Sequence, residues 1–345
     1  MSENAEPVTE LAVRTLTDEE NADLRSRLSG VRANPYTDFD AFLAEARAEV
    51  AALTPAVHEA LTEIGAGRGA GALLVRNLPI PADLRPTPDR SFQELDDIVP
   101  MGTEAMLAVV AQTLGEAFSY REWDAGALVH NKYPLRAHRD VQFGSNAVEF
   151  LLHTETPFRD VSPDHLALLC LRGDPTGRAT TLVADLAKTV DALDAPLIAQ
   201  LSRPAFAFET DNPLVVLADG RGVTEPQPVI GSREGQRVLE FVGDLVAVDA
   251  ESAAALAELT ARIKAAAVPV PLASGDLLVL DNRRMVHGRN AIDPRYDGTD
   301  RWLQRMLVTS RLVRTSPTAA ERLVSDRRYA NYPTEYRQVL SGTPR

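Results

Sequence analysis

Helical patterning in the first third of the chain, followed by many short strands, predicts a fold that is mainly β with flanking helices. Apolar residues recur at helical spacing up to Phe118, and beyond it short apolar runs are broken by Gly, Pro and Asp-Asn turns. Only one further helical stretch follows, an alanine-rich one at about 250–266. No internal repeat and no long polar linker divides the 345 residues, so a single domain is expected. Many short strands that must close on one another beneath helices fit a double-stranded β-helix, the jelly-roll or cupin-like core.

The elements follow in order. Residues 1–10 carry no period and read as disordered. Thr17-Asp18-Glu19-Glu20 is a capping box, which opens a short helix closing near Gly30. A second helix is expected from about Asp38 to Ala52, completing with a third an N-terminal helical part of about 1–70. The third begins at Pro55 and ends in Gly65-Ala66-Gly67-Arg68-Gly69-Ala70-Gly71. That glycine run invites a dinucleotide reading, but a phosphate-cradling loop follows a strand and opens a helix. This one follows a helix and precedes the strand Ala72-Leu73-Leu74-Val75, which argues against it. Residues 79–100 are proline-rich and loop-like, and Thr103 to Phe118 reads as an amphipathic helix with Met106, Leu107, Val110, Leu114 and Phe118 at helical spacing. Strands are expected at 126–131, 147–153, 165–172, 180–184, 214–218, 237–242, 277–281 and 302–310. Asp211 to Asp249, rich in Pro, Gly and charge, is expected to act as a lid near 211–249.

Composition excludes several functions. The net charge of -13, with no basic stripe to offset it, argues against nucleic acid. No signal peptide or membrane span is visible, and the one cysteine, Cys170, lies in an apolar run. A cytoplasmic protein with no disulfide and no membrane partner is expected.

Chemistry concentrates where Ala147-Val148-Glu149-Phe150-Leu151-Leu152 leads into His153-Thr154-Glu155. Strand side chains repeat on one face every two residues, so His153 and Glu155 point the same way. An imidazole and a carboxylate side by side supply two of the three ligands of a 2-His-1-carboxylate iron site; the bland alternative is a surface His-Glu pair. Among six histidines, His58 and His165 read as structural, and His287 is the candidate third ligand. It follows the apolar strand Leu277-Leu278-Val279-Leu280-Asp281 and a polar turn, at the start of the next strand. A competing His138-Arg139-Asp140 has loop-like flanks and crowding arginines, and fits the mouth of a site better than its centre. In Asp300-Arg301-Trp302-Leu303-Gln304-Arg305-Met306-Leu307-Val308, Arg301 and Arg305 share a strand face about 13 Å apart. That spacing suits two different carboxylates, each gripped in planar bidentate fashion; the alternative is two solvated arginines on an outer strand.

The order His153-x-Glu155, His287, Arg301, Arg305, together with Asp281-Asn282-Arg283-Arg284-Met285-Val286-His287-Gly288-Arg289 and Pro294-Arg295-Tyr296-Asp297-Gly298-Thr299-Asp300-Arg301, resembles the clavaminate synthase-like Fe(II)/2-oxoglutarate-dependent oxygenases. The likeness is to the branch hydroxylating amino acids such as asparagine, arginine and lysine, and it covers roughly residues 72–315, the expected jelly-roll core. It implies Fe(II) on His153, Glu155 and His287, with 2-oxoglutarate and molecular oxygen as co-substrates. Arg301 would grip the far carboxylate of 2-oxoglutarate with Thr181, Thr180 being a near alternative. Arg305 would hold the substrate's α-carboxylate, and Glu122, Ser145 and Asn146 its amino group. His130 falls in a stretch lining the substrate pocket, where many relatives carry Gln. Glu240 or Asp244 would meet the substrate side chain from the lid. The presence of Glu155 implies hydroxylation rather than halogenation, because a related halogenase lacks this carboxylate. The implied function is hydroxylation of an L-amino acid, free or derivatised, at C3 or C4. A zinc-dependent hydrolase on the same ligands and a non-catalytic cupin-like binding protein are the competing readings.

Overall fold

The capping box forms as expected. Glu20 N donates to Thr17 Oγ1 at 3.2 Å and Thr17 N to Glu20 Oε2 at 2.7 Å, which satisfies two otherwise orphaned donors. It opens α1 (Asp18–Leu28). The computed structural model describes residues 9–95, 98–121, 124–140, 147–157, 159, 161–208, 223–233, 235–310 and 322–324. After α1 come α2 (Phe39–Ala48) and α3 (Pro55–Gly65). The second helix is shorter than expected, since Val50–Ala52 form a separate 3-10 turn.

Helix α4 (Thr103–Leu114) also stops early. Gly115 takes φ 156° and lies so near the next element that a Cβ would meet Thr309 O at 3.0 Å. The chain then turns into a strand, so Phe118 belongs to β3 and not to the helix. Two short helices, α5 (Leu186–Asp191) and α6 (Ala195–Leu201), were not expected, whereas α7 (Ala250–Ala266) matches the sequence reading at both ends. Among the described residues no helix is long and apolar enough to cross a membrane.

Sixteen strands are described: β1 (Leu11–Thr15), β2 (Ala72–Arg76), β3 (Glu116–Tyr120), β4 (His130–Lys132), β5 (Phe150–His153), β6 (His165–Arg172), β7 (Thr180–Asp185), β8 (Phe206–Phe208), β9 (Ile230–Arg233), β10 (Gln236–Leu239), β11 (Leu245–Ala247), β12 (Val268–Pro271), β13 (Leu277–Asp281), β14 (Met285–Arg289), β15 (Trp302–Thr309) and β16 (Leu323–Val324). An eight-stranded sheet runs β1-β2-β13-β6-β15-β3-β16, with β4 also pairing β15. A four-stranded sheet runs β12-β7-β14-β5, and β8 with β11 and β9 with β10 form two-stranded pairs. Thr9, expected in a disordered stretch, is buried: its hydroxyl donates to Ala266 O at 2.8 Å and accepts from Asp185 N at 3.0 Å. The expected strand at 214–218 lies outside the described residues. The described part of the expected lid carries β9, β10 and β11.

The two sheets pack face to face. One apolar cluster joins Leu166, Leu168, Leu278, Leu280, Leu303 and Leu307 of the large sheet to Val183, Val270 and Met285 of the small one. The other face of the large sheet packs under α2, α3 and α4, through Leu169, Val279, Met306 and Val308. Helices α5, α6 and α7 cover the outer face of the small sheet around Ala184 and Val286. Strands covered on both sides are apolar at nearly every position. That is why β6 and β13 read as unbroken runs whose ends the sequence predicts.

Candidate active site

The candidate ligands converge inside the small sheet. His287 pairs directly with His153 across β14 and β5, so both rings leave the same face with centroids 4.3 Å apart. His287 stands in the middle of β14, not at its start. Glu155 lies just past β5, fixed by Asn282: the Asn282 Oδ1 accepts from Glu155 N at 2.6 Å and its Nδ2 donates to Glu155 O at 3.1 Å and Pro163 O at 2.9 Å. One ligand atom from each of His153, Glu155 and His287 lies within 4.8 Å of the other two, and all three residues are buried. His138 and Asp140 are not part of this group.

The hydrogen bonds select the ligand atoms. His153 Nδ1 sits 2.7 Å from Leu151 O, and a carbonyl only accepts, so Nδ1 carries the proton and Nε2 is bare. Among the described residues that Nε2 and Glu155 Oε2 are buried atoms without a hydrogen-bond partner, and His287 Nε2 lies 3.5 Å from the same Oε2. Burial, and then the neighbouring His287, push the His153 ring down to about 3, so it stays neutral and able to bind. Burial alone would raise the Glu155 carboxyl, but Arg305 and the two imidazoles outweigh it and hold it below the usual carboxylate range. A set of two imidazoles and one carboxylate with unsatisfied atoms suits a divalent transition metal.

Two arginines reach this region from the large sheet, Arg301 from just before β15 and Arg305 from within it. Arg301 is 4% exposed, and its Nη2 donates to Thr181 Oγ1 at 2.9 Å. Its Nε has no partner among the described residues, and no carboxylate pairs with its guanidinium there. Thr181 faces inward on β7, whereas Thr180 is half-buried and its hydroxyl donates to Arg178 O at 3.4 Å. Arg305 donates through Nη1 to Glu155 Oε1 at 2.8 Å and through Nη2 to His130 Nδ1 at 2.9 Å. Arg289, given no role by the sequence, is buried opposite Thr181 in the β14–β7 pairing. Its Nη2 donates to Val148 O at 2.9 Å, which ties the segment before β5 to β14. Burial, and then Arg301, lower its guanidinium to about 10.

The remaining candidates are less concentrated. Glu240 forms an ion pair with Arg233 at 2.8 Å, and Asp244 is exposed in the turn before β11. Glu122, Ser145 and Asn146 lie outside the described residues. Sequence reasoning missed Asn282 and Arg289. Arg289 had a signal, being two residues beyond His287 on the same strand face.

A family model described as "Taurine catabolism dioxygenase TauD, TfdA family" matches residues 43–307. An L-asparagine oxygenase of Streptomyces coelicolor is 35% identical over 256 residues, covering 71% of this chain and 73% of that protein. Among solved structures, asparagine oxygenase in complex with Fe(II), 2S,3S-3-hydroxyasparagine and succinate superposes with a TM-score of 0.80 and 29% identity, over 91% of this chain and 99% of that one. The non-heme iron oxygenase OrfP with Fe and alpha-ketoglutaric acid superposes with a TM-score of 0.77 and 26% identity, over 90% of this chain and 99% of that one.

Proposed function

The chain belongs to the taurine catabolism dioxygenase TauD, TfdA family, and from that premise we propose that it is a cytoplasmic Fe(II)/2-oxoglutarate-dependent dioxygenase hydroxylating an unactivated carbon, C3 or C4, of an L-amino acid, free or derivatised. The two packed sheets are read as the double-stranded β-helix core of one oxygenase domain. What carries the reading is the buried guanidinium of Arg301, which pairs with no carboxylate among the described residues and is held by Thr181 on the strand beside that of His287. A buried cation is costly unless an anion meets it. A dicarboxylate co-substrate provides that anion, which a zinc hydrolase or an inert cupin does not.

His153, Glu155 and His287 would hold the metal, and their bare buried atoms fit it. With 2-oxoglutarate and molecular oxygen, Fe(II) bound there supplies oxidative decarboxylation to succinate coupled to insertion of one oxygen atom into a C–H bond. The chain's own work is binding and orientation. Arg301 and Thr181 grip the far carboxylate of 2-oxoglutarate, with Thr180 an alternative hydroxyl. Glu155 stays ionised and His153 neutral, so neither must lose a proton before binding. Arg305 holds the amino acid's α-carboxylate, while Glu122, Ser145 and Asn146 receive its amino group and His130 lines the pocket. Glu240 or Asp244 meets the side chain. The apolar walls between the sheets keep water from the reacting carbon.

The test mixes purified protein with Fe(II), 2-oxoglutarate and oxygen across L-asparagine, L-lysine, L-ornithine and L-arginine. Succinate that rises with one amino acid, matched by a product carrying one added oxygen, is expected. Succinate indifferent to every amino acid, or metal-dependent hydrolysis without 2-oxoglutarate, would overturn the proposal.

A further inference from the structure

His130 has no exposed surface and stands opposite Arg305 in the β4–β15 pairing, so the two side chains share a face. The Nε and Nη2 of Arg305 lie 3.3 and 2.9 Å from His130 Nδ1, while its Nη1 reaches Glu155 Oε1 at 2.8 Å. A guanidinium can only donate, so Nδ1 must be the bare, accepting nitrogen. Burial, and then the Arg305 cation, push the ring down to about 3, so it carries a single proton. That proton belongs on Nε2, where Ser119 Oγ, buried on β3 and 2.9 Å away, accepts it. The opposite tautomer would set N–H against N–H. Arg305 therefore fixes the form of the ring from one side, and Ser119 anchors its position from the other.

We propose that His130 is a positioning residue for Arg305: with its proton on Nε2, anchored on Ser119, its bare Nδ1 holds the guanidinium in place beside Glu155 to receive the carboxylate of the amino acid. The proposal rests on reading Arg305 as that carboxylate's partner. It gives His130 a task carried out through Arg305, beyond lining the pocket. A guanidinium held at its Nε–Nη2 edge by a neutral ring and at Nη1 by a carboxylate cannot swing without losing hydrogen bonds at both. Its aim is thus set before the amino acid arrives, which lowers the ordering cost of binding. A glutamine side-chain oxygen could accept from the same edge; a leucine of similar bulk could not.

The test compares His130→Leu, His130→Gln and Ser119→Ala in the full chain, using whichever of L-asparagine, L-lysine, L-ornithine and L-arginine the parent enzyme turns over best. For His130→Leu the amino-acid KM should rise about tenfold or more, the loss expected for a hydrogen bond to a charged group, while kcat and the KM for 2-oxoglutarate change little. His130→Gln should restore most of the affinity, and Ser119→Ala should show a smaller rise, because the ring then loses the anchor at its Nε2 side. Two readouts independent of turnover accompany these: the melting temperature, and the visible absorption formed when Fe(II) and 2-oxoglutarate bind together. The absorption should match the parent in all three variants, and a melting temperature above the assay temperature shows that each variant is folded. An unchanged amino-acid KM in His130→Leu, a His130→Gln variant as impaired as His130→Leu, or equal losses for both ligands would each overturn the proposal. If His130→Leu does not fold, an unchanged amino-acid KM in Ser119→Ala overturns it alone. A parent that turns over none of the four amino acids overturns instead the reading of Arg305 beneath it.

Discussion

A guanidinium removed from water is costly without a counter-charge, and Arg301 is buried with no carboxylate paired to it among the described residues. Replacing it by methionine should raise the KM for 2-oxoglutarate at least about 30-fold, because a buried charge pair loses one partner. The amino-acid KM should move far less. Steady-state succinate formation, with each ligand varied in turn, separates the two; an amino-acid KM that rose in step would show that Arg301 is not dedicated to the co-substrate. Glu155→Ala should abolish coupled turnover by removing an oxygen that no neighbour replaces. Much of this juxtaposition is legible in the sequence. His153 and Glu155 share a face because strands repeat every two residues, and the same period puts Arg301 and Arg305 on one side of β15. What the sequence hides are contacts made by cross-strand pairing. Nothing local in Leu128-Val129-His130-Asn131 tells that His130 will face Arg305, or that Arg305 will bridge to Glu155. Asn282 was equally hidden, since its three hydrogen bonds go to a backbone far away in sequence.

Among the elements, β14 has the least room. A Cβ at Gly288 would meet Phe150 O at 2.6 Å and Leu152 N at 3.1 Å, so the strand must carry glycine there to approach β5 closely. Gly288→Ala should cost about 1–3 kcal/mol through forced backbone shifts. Because it pushes β14 from β5, it should also weaken metal binding by parting His287 from His153. Urea unfolding and a Co(II) titration measure the two effects; a variant as stable as the parent would mean that the strands have slack. Element boundaries were legible where both faces of a strand are covered or a helix is long. Strands β6 and β13 and helix α7 match end to end for that reason. Helices α5 and α6 are too short for a 3.6-residue period to show, although their caps Asp185 and Asp194, and Pro196, were available signals. Strand β1 has five residues and runs straight toward the capping box, so its pairing with β2 gave little warning.

At the scale of the molecule the candidate site needs both sheets, since its imidazoles come from β5 and β14 and its guanidiniums from Arg301, just before β15, and Arg305 within it. Ligands that bind only the assembled form stabilise it by mass action, by about 2.7 kcal/mol at a hundredfold excess over Kd. For a chain of this length that is a rise in melting temperature of about 3–5 °C. Mn(II) together with 2-oxoglutarate should produce such a rise in a fluorimetric melt, EDTA should reverse it, and Glu155→Ala should not respond. A response in Glu155→Ala equal to that of the parent would mean that the metal binds elsewhere. Two hydrogen bonds between the sheets' sides of the site, Arg301 to Thr181 and Arg305 to Glu155, both start from this one stretch of backbone. A lateral step of β15 by one residue would rotate both arginines toward the helical layer at once. Grip on the keto acid and grip on the amino acid would then vanish in a single event, so sliding this strand cannot retune one affinity while sparing the other.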